Sequence, residues 1–382
     1  MNINHRASPR HALLMLAPLL DEHESQLARQ FDLVRAFDSH ALAAVLADRP
    51  ERFRALVTNG VVGAPTPVMR ALVNLSLIAV NGVGVDCIDL GQAKARGIQV
   101  ETTVDILTDA VADQAVALLL SLLRQVCVAD RFVRAGLWRE AAFPLLGTTL
   151  RGLRVGIIGL GRIGQAIASR LLPFGAKLAY HNRNELQGCS YTYYPDACSL
   201  AADSDILILA AAGGSATSRL VNAPVLEALG AKGMIVNVAR GSVIDEAELV
   251  ARLQDGRLAG AALDVFANEP QVPTSLFDLD NVVLQPHMGS ATLQARKAMG
   301  TTSSVRFVEV HFQGKAIRQA WAIEHDCLFK SMSSLERIAT VIPRPSLYNF
   351  RPPSAPPSPM RHRLQSSLWN RLSGYQTHLR FE

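Results

Sequence analysis

Three glycines, Gly159, Gly161 and Gly164, fall in the run VGIIGLGRIG with the spacing GxGxxG, directly after an apolar stretch and at the head of the amphipathic segment RIGQAIASRLL. At such a junction the first glycine permits a tight turn and the second lets the backbone approach a pyrophosphate. The third lets a helix pack close to a strand, and the helix N-terminus faces the negative charge. Arg162 and Ile163 add backbone N–H groups at the same place. The segment reads as a dinucleotide-binding turn because it joins a strand to a helix, which a chance glycine cluster need not do.

The next apolar stretch ends KLAYHNRN. About 20 residues past such a turn, NAD-preferring folds carry an acid for the ribose hydroxyls. Here stand Asn182, Arg183 and Asn184 instead. A guanidinium suits a 2′-phosphate that an aspartate would repel. NADP(H) is therefore the expected cofactor, and NAD(H) is the alternative if Arg183, beside Glu185, is only a solvated surface arginine.

Three further side chains each follow an apolar stretch: Arg240 in VNVARGSVIDE, Glu269 in DVFANEP and His287 in LQPHMGSAT. In an open parallel sheet the carboxyl ends of the strands meet at the ligand crevice, so residues far apart in sequence converge there. Their types suit carbonyl reduction. Hydride delivered to a carbonyl carbon leaves negative charge on oxygen, and a proton donor within hydrogen-bond reach lowers the barrier. His287 fits that task, and Glu269 beside it would favour the charged, loaded imidazole. A fixed guanidinium binds a planar carboxylate in two-pronged fashion and stabilises developing oxyanion charge. Arg240 would do both.

Positioning these residues requires a frame that repeats strand and helix. The N-terminal part alternates LLMLAP, FDLVRAF, FRALVTNG, LSLIAVNG and GIQVET with helical patterns. From Leu153 a second series of six strands follows: LRVGIIGLG, KLAYHNR, SDILILAA, GMIVNVARG, AGAALDVF and NVVLQPH. The expected fold is α/β, with two Rossmann-like doubly wound parallel-sheet domains. Between the series, residues 107–133 read as one long apolar helix capped by Asp105 or Thr108, buried internally, between domains or against a second subunit. The expected division is residues 1–102 as the first part of a substrate-binding domain, 103–287 as the NAD(P)-binding domain and 288–318 as a helix returning to the first. The remainder, 319–382, is rich in Pro, Ser and Arg without periodicity, and is expected to be a disordered tail.

The 382 residues are 49% hydrophobic and 19% charged, the balance of a globular enzyme rather than a disordered chain. The net charge of +5 is modest and arginines weight it toward the C-terminal end, so no nucleic-acid partner is expected of the folded part. Cys87, Cys127, Cys189, Cys198 and Cys327 are scattered without CxxC spacing, which reads as reduced thiols with no structural metal. Arg6 and Arg10 precede an apolar run, but no small-residue cleavage site follows it, and no run is long enough to span a bilayer. A cytoplasmic protein without a membrane partner is expected.

With GLGRIG, VNVARG, DVFxxEP and PHxGS in this order, the chain resembles the D-isomer-specific 2-hydroxyacid dehydrogenase family over approximately residues 10 to 300. It is most similar in motif to the glyoxylate, hydroxypyruvate and hydroxyphenylpyruvate reductase branch. The resemblance implies NAD(P)-dependent reduction of a small 2-keto acid to the D-2-hydroxy acid by a homodimer. Arg240 would orient the keto acid, His287 donate the proton and Glu269 hydrogen-bond the histidine. The resemblance further implies that the loop NGVGVD meets the substrate carboxylate through backbone near Val83 and Gly84. Thr108, Val238, Ala239, Asp264 and Gly289 match positions near the nicotinamide. The loop AAAGGSATSRLV keeps the family's glycine pair and Thr217 but lacks its usual proline. Two other readings stay open: a non-catalytic nicotinamide-nucleotide-sensing protein, and an NAD-dependent dehydrogenase of the same fold such as phosphoglycerate dehydrogenase.

Overall fold

The computed structural model describes residues 10–312; the tail expected to be disordered, 319–382, lies outside the described residues, as does the end of the expected return helix. The first series forms five parallel strands, β1 (Ala12–Met15), β2 (Asp32–Arg35), β3 (Phe53–Asn59), β4 (Leu77–Asn81) and β5 (Gln99–Thr102), in the order β2-β1-β3-β4-β5. Between them run α1 (Asp21–Gln30), α2 (Ser39–Ala47), α3 (Thr66–Ala71) and α4 (Leu90–Ala95). Successive strand residues point to opposite faces, and both faces are covered, so the strands read as continuous apolar runs. Leu14, Leu56, Ile78 and Val80 pack with Val68 and Met69 of α3. Leu13, Met15, Val57 and Ala79 pack with Leu27 of α1 on the other side.

The second series forms β6 (Arg154–Ile158), β7 (Lys177–His181), β8 (Thr192–Tyr194), β9 (Ile206–Leu209), β10 (Met234–Asn237), β11 (Gly260–Leu263) and β12 (Val282–Leu284). All are parallel, in the order β12-β11-β10-β9-β6-β7-β8. The chain adds β7 and β8 on one side of β6, then crosses back to place β9 on the other, so the switch point lies between β6 and β9. The seventh strand, β8, was not anticipated. Its three residues are only partly covered at the sheet edge and carry no apolar run to announce it. One face packs on α5 (Thr108–Leu123) and α7 (Arg162–Leu171), the other on α8 (Ala197–Ala202), α9 (Ala223–Leu229) and α10 (Glu246–Gln254).

The single helix expected over 107–133 is two. α5 ends at Leu123, Gln125 takes a left-handed conformation (φ 54°), and α6 (Val126–Arg134) leaves at 62°. The break separates two environments. α5 buries Val111, Ala115, Leu118, Leu119 and Leu122 internally and is tied to α7 by Arg170, which pairs with Asp109 at 2.8 Å and Asp113 at 2.6 Å. α6 buries nothing. Nor do Asp105 or Thr108 cap α5: its N-cap is Leu107, without a side-chain bond, and Asp105 faces Arg162. Among the described residues no single helix is long and apolar enough to cross a membrane.

After β12 the chain runs through α11 (Leu293–Met299), a π-helical turn (Gly300–Arg306) and α12 (Phe307–Phe312) back onto the first sheet. Phe307 and Val308 are buried against Leu13, Met15 and Leu77, and Phe312 stacks on His11 with ring centroids 4.6 Å apart.

Candidate active site

The turn from β6 into α7 sits at the switch point. Gly159 has φ 96°, and a Cβ there would lie 2.5 Å from the Ala211 amide nitrogen at the end of β9, so only glycine makes this turn. A Cβ on Gly164 would overlap the Gly159 carbonyl, which lets α7 approach the strand. No side chain caps the N-terminus of α7. It opens on a cleft of about 360 Å³ lined by Thr108, Gly161, Arg162, Ile163, Val238 and Ala239 among others. Uncapped amides, a glycine with open space beside it and an apolar floor fit a dinucleotide pyrophosphate and nicotinamide.

Asn182, Arg183, Asn184 and Thr217, also expected at the cofactor, stand apart from this lining. Asn182 is turned inward, where its Oδ1 accepts the Leu160 amide at 2.7 Å and so braces the glycine turn. Arg183 and Asn184 are exposed at the end of β7. Thr217 donates to the Ala212 carbonyl at 2.7 Å, folding its own loop. Arg162, expected to act through its backbone, also pairs with Asp105 at 2.6 Å.

Arg240 follows β10 in a turn held by Asn237, whose Nδ2 donates to the Arg240 carbonyl at 3.0 Å and whose Oδ1 accepts the Ala239 amide at 3.0 Å. Asn237 is buried, so these bonds satisfy it and lock the turn. The guanidinium is equally committed. Its Nε donates to Asp86 Oδ2 at 2.7 Å and its Nη1 to the Ala239 carbonyl at 2.7 Å. Nη2 is the nitrogen that lies over Gly84, where any Cβ would overlap it. A two-pronged grip along the Nε edge is not offered in this structure, because Asp86 occupies that edge, whereas the N–H groups of Nη2 remain toward Gly84.

His287, just past β12, adopts φ 55°, and its amide donates to the Asp264 carbonyl at 2.8 Å. Asp264 is almost fully buried, and its carboxylate accepts the Met288 amide at 2.6 Å and the Gly289 amide at 2.7 Å. Burial pushes this carboxyl up, against those two amides and the charge of His287, which pull it down. Asp264 thus braces the turn that presents His287. On the ring, Nδ1 lies 2.7 Å from Glu269 Oε2, and Glu269 Oε1 accepts the Phe266 amide at 3.0 Å. Burial pushes the Glu269 carboxyl up, but the bonds from His287 and Phe266 with the charges of His287 and Arg240 outweigh it and hold it below the ordinary carboxylate range.

These parts meet in one cavity of about 170 Å³, where Val83, Gly84, Arg240, Asp264, His287 and Gly289 all contribute to the wall. Val83, Gly84, Ile163, Val238 and Arg240 line the dinucleotide cleft as well, so the two spaces share a wall. An acid–base pair, a fixed cation and a nicotinamide-sized cleft thus adjoin.

The profile of the NAD binding domain of D-isomer specific 2-hydroxyacid dehydrogenases matches residues 116–289. The glyoxylate/hydroxypyruvate reductase A of Arabidopsis thaliana is 44% identical over 305 residues, covering 80% of this chain and 97% of the relative. Hydroxyphenylpyruvate reductase of Plectranthus scutellarioides is 43% identical with the same coverage, 80% and 97%. The chain belongs to the D-2-hydroxyacid dehydrogenase family. Among solved structures, the NADPH-dependent glyoxylate/hydroxypyruvate reductase of Sinorhizobium meliloti, in complex with NADP and malonate, is 42% identical with TM-score 0.75, covering 81% of this chain and 96% of that one. Within this D-2-hydroxyacid dehydrogenase, Asp86 and Asn237 carry no role in the sequence reading. Both stand inside the segments NGVGVD and VNVARG, where a carboxylate or amide side chain next to a strand-ending turn is the available signal.

Proposed function

We propose that this dehydrogenase reduces a small 2-keto acid to the D-2-hydroxy acid, with NADPH preferred. The observation that carries the reading is that His287, paired with Glu269 at 2.7 Å, lines the same cavity as Arg240 and the Val83–Gly84 loop. Arg240, held by Asp86 and Ala239, turns Nη2 toward the keto acid, whose carboxylate also meets the loop backbone. The nicotinamide, when bound, supplies the hydride. His287 then donates its proton to the carbonyl oxygen as charge develops there, and Glu269, held below the ordinary carboxylate range, keeps the imidazole oriented for that step. Thr108, Val238 and Ala239 in the cleft, with Asp264 and Gly289 in the adjoining cavity, would lie on the nicotinamide side, and the uncapped amides of Gly161, Arg162 and Ile163 would hold the pyrophosphate.

The NADPH preference rests on Arg183, exposed with Asn184 where β7 ends and without an acid in the ribose position. A homodimer is supported by the exposed apolar side chains of Val126 and Val133 on α6, with Trp138 and Leu146 beyond it. Cytoplasmic placement rests on unpaired Cys87, Cys127, Cys189 and Cys198. The test is NADPH and NADH oxidation with glyoxylate, hydroxypyruvate and phenylpyruvate, in the natural chain and in His287→Ala and Arg183→Ala. His287→Ala should lose at least ~10²-fold in kcat, and Arg183→Ala should weaken NADPH but not NADH. Turnover retained by His287→Ala would remove the proton-donor assignment.

A further inference from the structure

The residues that line the dinucleotide cleft include two carboxylates, Asp86 and Asp105, and two guanidiniums, Arg240 and Arg162. They pair off, Asp86 with Arg240 at 2.7 Å and Asp105 with Arg162 at 2.6 Å. An acid is out of place where a dinucleotide brings the negative charge of its diphosphate, so each requires a reason. Asp86 has one, since it holds Arg240. Asp105 instead faces the first residue of α7, the helix whose uncapped N-terminus suits the diphosphate.

Local structure gives the Asp105 carboxylate no task. It caps no helix, because the N-cap of α5 is Leu107. Its backbone is left-handed, with φ 73°, a conformation that glycine adopts more readily than any acid. Its side chain is 45% exposed, so it seals no core. Among the described residues the ion pair is the only side-chain partner that either Asp105 or Arg162 has. Arg240 differs, because it is largely buried and a second bond to the Ala239 carbonyl fixes it. Arg162, 67% exposed and held at one atom, can exchange partners.

We propose that Asp105 is a positioning residue that competes with the cofactor diphosphate for Arg162, and so sets how fast the oxidised dinucleotide leaves after each reduction. This rests on the dinucleotide reading of the same cleft. Arg162 finds more charge and more acceptors on a diphosphate than on one carboxylate, so it passes to the ligand on binding. Asp105 is then an unpaired like charge in the cleft, and its recapture of Arg162 favours departure. Release of this kind governs turnover in many enzymes.

The test is stopped-flow fluorescence of NADPH and of NADH displaced from the full chain by excess NADP+, in the natural chain, Asp105→Asn, Asp105→Gly, Arg162→Gln and the Asp105→Asn/Arg162→Gln double variant. Asparagine and glycine both accept the left-handed backbone, so the turn is kept. Each Asp105 variant should release NADPH roughly two- to fivefold more slowly, the scale of one exposed ion pair. NADH should slow by the same factor, because the competition is for the diphosphate and not for a 2′-phosphate. The factor should shrink toward one in about 0.5 M salt, and it should vanish in the Arg162→Gln background. Unchanged or faster release from Asp105→Asn would mean that the acid only braces Arg162, and overturns the proposal. An effect that survives without Arg162, or that is confined to NADPH, overturns it as well. In those cases the dinucleotide reading stands, whereas a natural chain that binds neither NADPH nor NADH would defeat the two together.

Discussion

Gly213 offers a way to move Arg240 without touching it. It lies in the loop after β9, and a Cβ there would sit 2.8 Å from Arg240 Cγ and 2.9 Å from Asp86 Oδ1. Ordinary contact begins near 3.4 Å, so Gly213→Ala forces displacements of about 0.6 Å and 0.5 Å by subtraction from those distances. The Asp86–Arg240 bond of 2.7 Å lies between the two displaced atoms and must reorient. Both side chains are about a quarter exposed, 23% and 24%, so they can shift without opening the core. Misplacement of a binding group by about 1 Å costs roughly 10²-fold, which puts half that displacement at about tenfold in kcat/KM for the keto acid. The melting temperature should fall by no more than about 4 °C, because less than ~1 kcal/mol of packing is at stake. Because Gly213 also borders the dinucleotide cleft, NADPH affinity is measured separately by fluorescence titration, and the kcat/KM loss should exceed any loss there. Combined with Asp86→Asn, the effects should be less than additive, since both act through one pair. A kcat/KM within twofold of the natural chain at unchanged NADPH affinity would refute the argument that the Asp86–Arg240 pair sets the position of Nη2.

Glu269→Gln keeps the shape of the His287 partner and removes its charge, and should lower kcat by about 10²-fold at neutral pH. Because the folded-state carboxyl is depressed, its contribution to stability is full above the unfolded carboxylate range near ~4.3 and is lost as pH falls through the lower folded value. Melting temperatures of the two proteins should therefore differ at pH 6 to 8 by a gap that closes below about pH 4; a gap that persists there contradicts the pairing. Phe307→Ala, at 2% exposure where α12 returns to the first sheet, should cost about 3–5 kcal/mol and roughly 6–20 °C in melting temperature. A loss below about 1 kcal/mol would mean that α12 does not seal that face.

Much of this protein is set by local pattern. Apolar runs such as ALLM and ILIL alternate with helical segments because parallel strands are covered on both faces, and that rhythm alone specifies two wound sheets. GxGxxG after a strand and before a helix, and Arg240, Glu269 and His287 at strand ends, are equally local statements, because parallel strands bring their carboxyl ends to one edge whatever lies between them. The partners of these groups are another matter. Asp86 reaches Arg240 across 154 residues of chain, and Asp264 reaches Gly289 across 25. Those distances depend on how two sheets sit in one folded unit, which no periodicity encodes. The same holds for the bend at Gln125, where the apolar pattern continues through Val126 and Val133 although their surroundings change from core to solvent. Sequence alone determined which groups stand at the edge of the sheets. Only the tertiary structure decided which atoms of those groups remain available: it commits Nε and Nη1 of Arg240 and spends Asn182 on the glycine turn. Hydrogen-bond satisfaction in a buried site is a property of everything packed around it, not of the residue that carries the charge.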